Sequence, residues 1–361
     1  MKKKFILGFV LLFLASIPML YSTLFLGASM NPYENLNKLP VAIVNNRENV
    51  IAKGLTESNL FDFKEEKDIN LANKDLENGK VFAVISFDED VQENIIHFPK
   101  TKKEVSINLT ISEGLNYFSS KVITSAMNKF VEQTNAKLSN TLITKMKGVN
   151  IPDNVGSIVQ LNTQNIHPVK NNGEAMAPYL FSLTLFVGGI FVNQFVMRNL
   201  KRREKSFTSY WTRQFLIPLC IGVFQVILLI IGNQLFIHIP INSNYQLFVF
   251  LCLTCATFSS IIVGFNKLIP GIGSLVVLLL TMLQTSSAAG VYPIILTDNI
   301  FKVINACIPM TYSIKGLKSI ISLDSFGLID HVYPLIGFFI FGQILILLAY
   351  FIHDKKKLNN F

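Results

Sequence analysis

Few residues in this chain stand at spacings that do chemistry. Cys252 and Cys255 form a C-x-x-C pair, which in a soluble βαβ setting would be a redox dithiol. Here the pair lies inside an apolar stretch, where thiolate formation is disfavoured, so packing is the better reading. Cys220 and Cys307 also lie in or beside apolar segments, which leaves no disulfide framework. The five histidines are scattered at 97, 167, 238, 331 and 353, and neither H-E-x-x-H nor G-x-S-x-G occurs. A G-x-x-x-x-G-K-[ST] phosphate loop is missing too, so the chain does not bind ATP by that device. These absences predict no catalytic residue, no metal and no cofactor, and exclude most enzyme classes.

The polar groups that do stand in apolar surroundings are amides: Asn193, Gln194, Gln225, Asn233, Gln234, Gln284 and Gln343. Interhelical hydrogen bonding accounts for them, with a substrate-path role for Asn193 or Gln284 as the alternative. No Lys, Arg, Asp or Glu lies inside any long apolar run. Ion- and proton-coupled transporters keep ionisable groups at membrane depth, so any transport here would draw its energy from elsewhere.

Two further segments carry a pattern. Arg198 to Arg213, RNLKRREKSFTSYWTR, has a basic first half (Arg198, Lys201, Arg202, Arg203) and an aromatic second half (Phe207, Tyr210, Trp211). Positive charge retains such a loop in the cytoplasm, and Tyr210 with Trp211 anchors at the interface. The second segment, Ala288 to His331, is too long and too apolar for a plain connector. It predicts two half-length helices broken at Pro293 and Pro309, lying at or dipping into the outer leaflet where protein covers them.

The elements that must position these residues follow from composition. Among 361 residues 50% are hydrophobic and 15% charged, with a mean hydropathy of +0.44, the values of a membrane protein. Six runs approach the ~20 residues needed to cross the hydrocarbon core: Phe5 to Ala28, Pro178 to Met197, Phe215 to Ile237, Leu247 to Phe265, Leu268 to Ser287 and Val332 to Ile352. The first follows Lys2, Lys3 and Lys4 like a signal peptide, but its apolar stretch is too long, and it reads as an uncleaved anchor. Thirteen Lys and Arg fall on one face of a six-span arrangement, at Lys2 to Lys4, Arg198 to Arg213, Lys267 and Lys355 to Lys357. Both termini are then cytoplasmic and residues 29–177 extracellular. The net charge of +9 is accordingly a topology signal and no mark of nucleic-acid binding: residues 29–177 hold 16 Lys and Arg against 18 Asp and Glu, while the remainder holds 16 against 5.

The block 29–177 is long enough for a domain and reads as α/β. Leu39 to Asn46, Lys80 to Phe87 and Val105 to Ile111 carry strand patterns, and Asn49 to Leu60, Ile69 to Glu77 and Leu115 to Met146 helical ones. Lys147 to Asn172, with Pro152, Gly156 and Pro168, reads as a turn-rich linker to a five-helix membrane domain, 178–361. The predicted fold is thus an α-helical polytopic membrane protein of six spans with an inserted extracellular α/β domain.

Three stretches carry a resemblance. LPVAIVNN (Leu39 to Asn46) and GKVFAVISF (Gly79 to Phe87), then NGEAMAPYL (Asn172 to Leu180) with Ser182 to Asn193, and above all TSSAAGVYPIIL (Thr285 to Leu296) with IPMTYSIKGLKSI (Ile308 to Ile320) resemble the phage infection protein (YhgE/Pip) family, a branch of the ABC-2 type permeases. Within the last stretch Pro293, Pro309, Thr311, Tyr312 and Gly316 form the expected outer re-entrant motif. Many relatives carry a longer, coiled-coil-rich external region, whereas this one is compact. The resemblance implies the membrane permease subunit of an exporter in the cell membrane. Such a subunit works as a homodimer, or as a heterodimer with a similar permease, together with a separate ABC ATPase, and exports a lipid-like or amphipathic substrate. It also implies that Arg198 to Arg213 is an ATPase-coupling loop. A surface receptor for phage, or a scaffold of a specialised secretion system without transport, is the alternative function.

Overall fold

The computed structural model describes residues 35–44, 49–145, 154–198, 206–290 and 292–354, so the first expected span, Phe5 to Ala28, lies outside the described residues. The chain divides into two compact units: residues 35–171 with 292–296, and residues 172–290 with 297–354.

The first unit is built on a five-stranded sheet. Its strands are β1 (Pro40–Val44), β2 (Asp62–Glu66), β3 (Ala83–Phe87), β4 (Val105–Ile111) and β5 (Val159–Asn165), in the order β2-β1-β3-β4-β5. Only the β3/β4 pair is antiparallel. The helices are α1 (Val50–Glu57), α2 (Ile69–Glu77), α3 (Val91–Thr101) and α4 (Tyr117–Lys145). Asn49 starts α1 by accepting from the Ile51 and Ala52 amides, and Asp68 starts α2 by accepting from Asn70, which are N-caps chosen by sequence. β1 is buried throughout: Val41 and Ile43 join the main core, while Ala42 and Val44 meet Ala72 and Leu76 of α2 on the other face.

Two strands depart from expectation. β2, DFKEE, and β5, VQLNTQN, are the two edges of the sheet; the second falls within the stretch that reads as a linker. An edge strand need bury little, so its sequence lacks the apolar alternation by which strands are recognised. The chain also returns to this unit from afar. Leu296 is buried in its main core, Asn35 donates to the Leu296 carbonyl at 3.1 Å, and the Tyr292 ring meets Phe118 edge-on at 4.5 Å.

The second unit is helical: α5 (Asn172–Phe191), α6 (Phe207–Gly232), α7 (Asn244–Leu268), α8 (Gly273–Ser287), α9 (Asn299–Ala306), α10 (Pro309–Ser322) and α11 (Leu328–Ala349). With the π turns that prolong α5, α6 and α11, four helices among the described residues are long and apolar enough to cross a membrane: Asn172–Met197, Phe207–Ile237, Asn244–Leu268 and Leu328–Ile352. The stretch expected as a span from Leu268 holds a shorter helix. Pro270 and Gly271 form a turn, with Gly271 at φ +89°, so α8 has 15 residues. That is about 22 Å of helix, short of the ~30 Å hydrocarbon core. α7 is the central helix, with 78% of its most apolar stretch buried against 17% for α6.

Candidate functional site

Chemistry in the helical unit comes from hydroxyl and amide side chains packed between helices, in two clusters. The first gathers where α5 ends and α6 begins. Ser206 caps α6 by accepting from the Ser209 amide, so Phe207, Tyr210 and Trp211 form the first turns of a long helix, where the sequence reads as a loop before a span beginning at Phe215. Tyr210 is buried with Met197, Val263, Ile346 and Tyr350. The Phe207 ring packs on Tyr350 at 5.2 Å and on Phe351 at 6.5 Å. Trp211 donates its indole N–H to Gln343 Oε1 at 2.8 Å, and Gln343 donates to Ser260 Oγ at 2.7 Å. One amide thereby ties α6, α11 and α7 together. Arg198 ends the α5 π turn with its side chain exposed; Lys201, Arg202 and Arg203 lie outside the described residues.

The second cluster lies among α8, α9 and α10. Asn305 is buried and donates to the Ser287 carbonyl at 2.6 Å and to Thr311 Oγ1 at 3.0 Å, while Thr311 donates to the Asn305 carbonyl at 2.7 Å. Tyr312 donates to the Ala306 carbonyl at 2.9 Å. Pro309 opens α10, where its missing N–H costs nothing. Gly316 lies under the Phe250 ring so closely that a Cβ would come 2.2 Å from a ring carbon. Deeper in the unit Ser182 donates to Ser313 at 2.7 Å and Ser313 to Thr254 at 3.4 Å, joining α5, α10 and α7. Pro309, Thr311, Tyr312 and Gly316 all belong to α10, whereas Pro293 belongs to the α/β unit, before the 3-10 turn Ile294–Leu296.

The other span amides divide. Asn233 holds the turn after α6 through the Ile239 N–H and C=O, each at 3.3 Å. Gln284 has neither amide atom hydrogen-bonded among the described residues, although it is fully buried. A buried amide left without any hydrogen bond costs about 1–3 kcal/mol. Asn305, Ser182, Ser313 and Thr254 escape a sequence reading that follows amides within spans; a hydroxyl or Asn recurring in an apolar helix is their signal. Cys255 packs against α6, its Sγ 2.1 Å from where a Cβ on Gly222 would stand. Among the described residues no three His, Cys, Asp or Glu are placed to hold a metal.

Hydroxyl and amide clamps thus join the apolar helices of the second unit to one another. Comparison with known proteins gives the chain a family. The YhgE protein of Bacillus subtilis strain 168, itself described as uncharacterized, is 28% identical over 170 residues, which are 47% of this chain and 22% of that protein. The chain thus matches about a fifth of that relative's length. No solved structure matches. The model of the ABC-2 family transporter proteins matches residues 7–352, a stretch that takes in both units and every cluster described above, and the chain accordingly belongs to the ABC-2 transporter family.

Proposed function

We propose that this chain is the permease subunit of an ABC-2 type exporter, working as a dimer and driven by a separate ATPase. The observation that carries it is the family match across residues 7–352, joined to a sequence without a phosphate loop of its own. In this reading the segment Arg198 to Arg213 is the coupling element. Its aromatic end is committed to the bundle through Tyr210 and the Trp211–Gln343–Ser260 chain, so the ATPase takes up the basic end, Arg198 to Arg203. A push there passes through α6 to the central helix α7 by hydrogen bonds already formed. The cargo is lipid-like or amphipathic, in keeping with exposed apolar helix faces such as those bearing Phe195 and Phe224.

The test places a photo-crosslinking residue at Arg202 in the full chain within its native membrane. The expected result is capture of an ABC ATPase, identified by mass spectrometry, and its loss when Lys201, Arg202 and Arg203 are changed together to glutamine at matched membrane abundance. Failure to recover any ATPase by crosslinking or by co-purification would overturn the coupling role and favour the receptor or scaffold function.

A further inference from the structure

Both edges of the sheet are open among the described residues, but they are built differently. β2 carries four charged residues in five, Asp62, Lys64, Glu65 and Glu66. Charge of this kind is the usual protection against edge-to-edge pairing, and two antiparallel copies of β2 centred on Lys64 would bring Lys64 against Lys64. β5 has seven residues with neither a charge nor a proline, and Gln160, Asn162, Thr163 and Gln164 are exposed.

The hydrogen bonds of β5 say which of its peptide groups are in use. Val105 donates to the Ile158 carbonyl and Ile166 to the Ile111 carbonyl. Hence the even-numbered residues from 158 to 166 turn their N–H and C=O towards β4, and the odd-numbered ones turn theirs outwards. Of these, Val159 is closed off: the buried Asn135 side chain of α4 accepts from its N–H at 2.8 Å and donates to its carbonyl at 2.9 Å. The outward groups of Leu161, Thr163 and Asn165 have no partner among the described residues. Thr163 is the middle of these three.

We propose that β5 pairs antiparallel with β5 of a second copy of this chain, about a two-fold axis at Thr163, so that two five-stranded sheets become one continuous sheet. Centred there, Leu161 faces Asn165 of the other copy and Thr163 faces Thr163. Every outward N–H and C=O that Asn135 leaves open then finds a partner. The side chains between them are Asn162 against Gln164, neutral amides that pair without like-charge contact. The occupant is a second copy because this edge is self-complementary: one register about one residue satisfies it, and no charge opposes its own image. The proposal rests on the dimer proposed above and locates one of its contacts.

Cysteine cross-linking of the full chain in its membrane tests it. In this register the two Thr163 Cα atoms stand ~5.5 Å apart, within the span a disulfide bridges, while the two Gln160 residues stand roughly 20 Å apart. Mild oxidation should join T163C into a covalent dimer and leave Q160C at the level of the wild-type chain, whose four native cysteines set the background. A second variant, T163P, removes the outward N–H alone and spares the ladder to β4, so it should weaken self-association about tenfold with the thermal melt unchanged. If the chain is dimeric in nanodiscs but T163C gives no more cross-link than Q160C, the sheet-edge pairing is overturned and the dimer stands. A monomer in nanodiscs overturns both.

Discussion

Glu113 uses its carboxylate twice: Lys121 approaches Oε1 at 2.7 Å and the Val169 N–H donates to Oε2 at 3.1 Å. Burial alone would raise its pKa, yet the hydrogen bonds from Lys121 and Val169 and the Lys121 charge together hold it below the ordinary carboxylate value of 4.5. Lys121 is raised above 10.5, chiefly by its hydrogen bond to Glu113. A lowered carboxylate stabilises the fold above its unfolded pKa and loses that contribution as the pH falls through the folded one; a raised lysine stabilises below its unfolded pKa and loses it as the pH rises through the folded one. The pair therefore contributes fully between about 4.5 and 10.5 and fades on the acid side first within any usable range. The expected outcome is that E113Q, which keeps an acceptor for Val169, lowers the melting temperature of the purified chain near neutrality and flattens its fall below pH 4.5. An acid limb unchanged in E113Q would assign that limb to other carboxylates.

The crossing of α7 and α11 is set by glycine. A Cβ on Gly342 would lie 2.8 Å from the Ile261 nitrogen and 2.7 Å from Ser260 Cβ, and one on Gly264 2.7 Å from Leu345 Cβ. These helices touch backbone to backbone, so nothing at the end of a flexible side chain can yield. G342A should destabilise the helical unit by about 1–3 kcal/mol. G337A, on the same helix with nothing within 4 Å, should be neutral or stabilising by up to ~1 kcal/mol. Thermal melts of the two variants in one detergent decide it, and equal melts would mean that the crossing relaxes. The same contrast explains what was legible in the sequence. β1 and β4 bury whole faces and show it in their residues, whereas β2 and β5, at the edges, do not. Likewise the aromatic run Phe207 to Trp211 shows its composition but not its partner, because Gln343 lies 132 residues from Trp211.

For the whole molecule the sidedness of basic residues carries the topology we propose, with both termini inside and the α/β unit outside. A cysteine at Lys64 or at Asn242 should react with an impermeant thiol reagent on intact cells, and one at Lys356 only after permeabilisation. The reverse pattern would invert the topology, and with it the assignment of Arg198 to Arg213 to the ATPase side.

By itself the sequence determined that this is a helical membrane protein with a sheet-containing part, and that it is of ABC-2 permease type. Hydropathy is a sum over adjacent residues, and the matching motifs are runs of neighbours, so both can be read along the chain. Only the tertiary structure decided that Leu296 returns to the core of the α/β unit, that Trp211 reaches Ser260 through Gln343, that Gln284 is buried without a partner among the described residues, and that Asn135 closes one end of the β5 edge while no described residue closes it at Thr163. Each of these joins residues, or fails to join them, across many intervening positions. Their hydrogen bonds depend on distances of about 3 Å, which packing sets and no local pattern records.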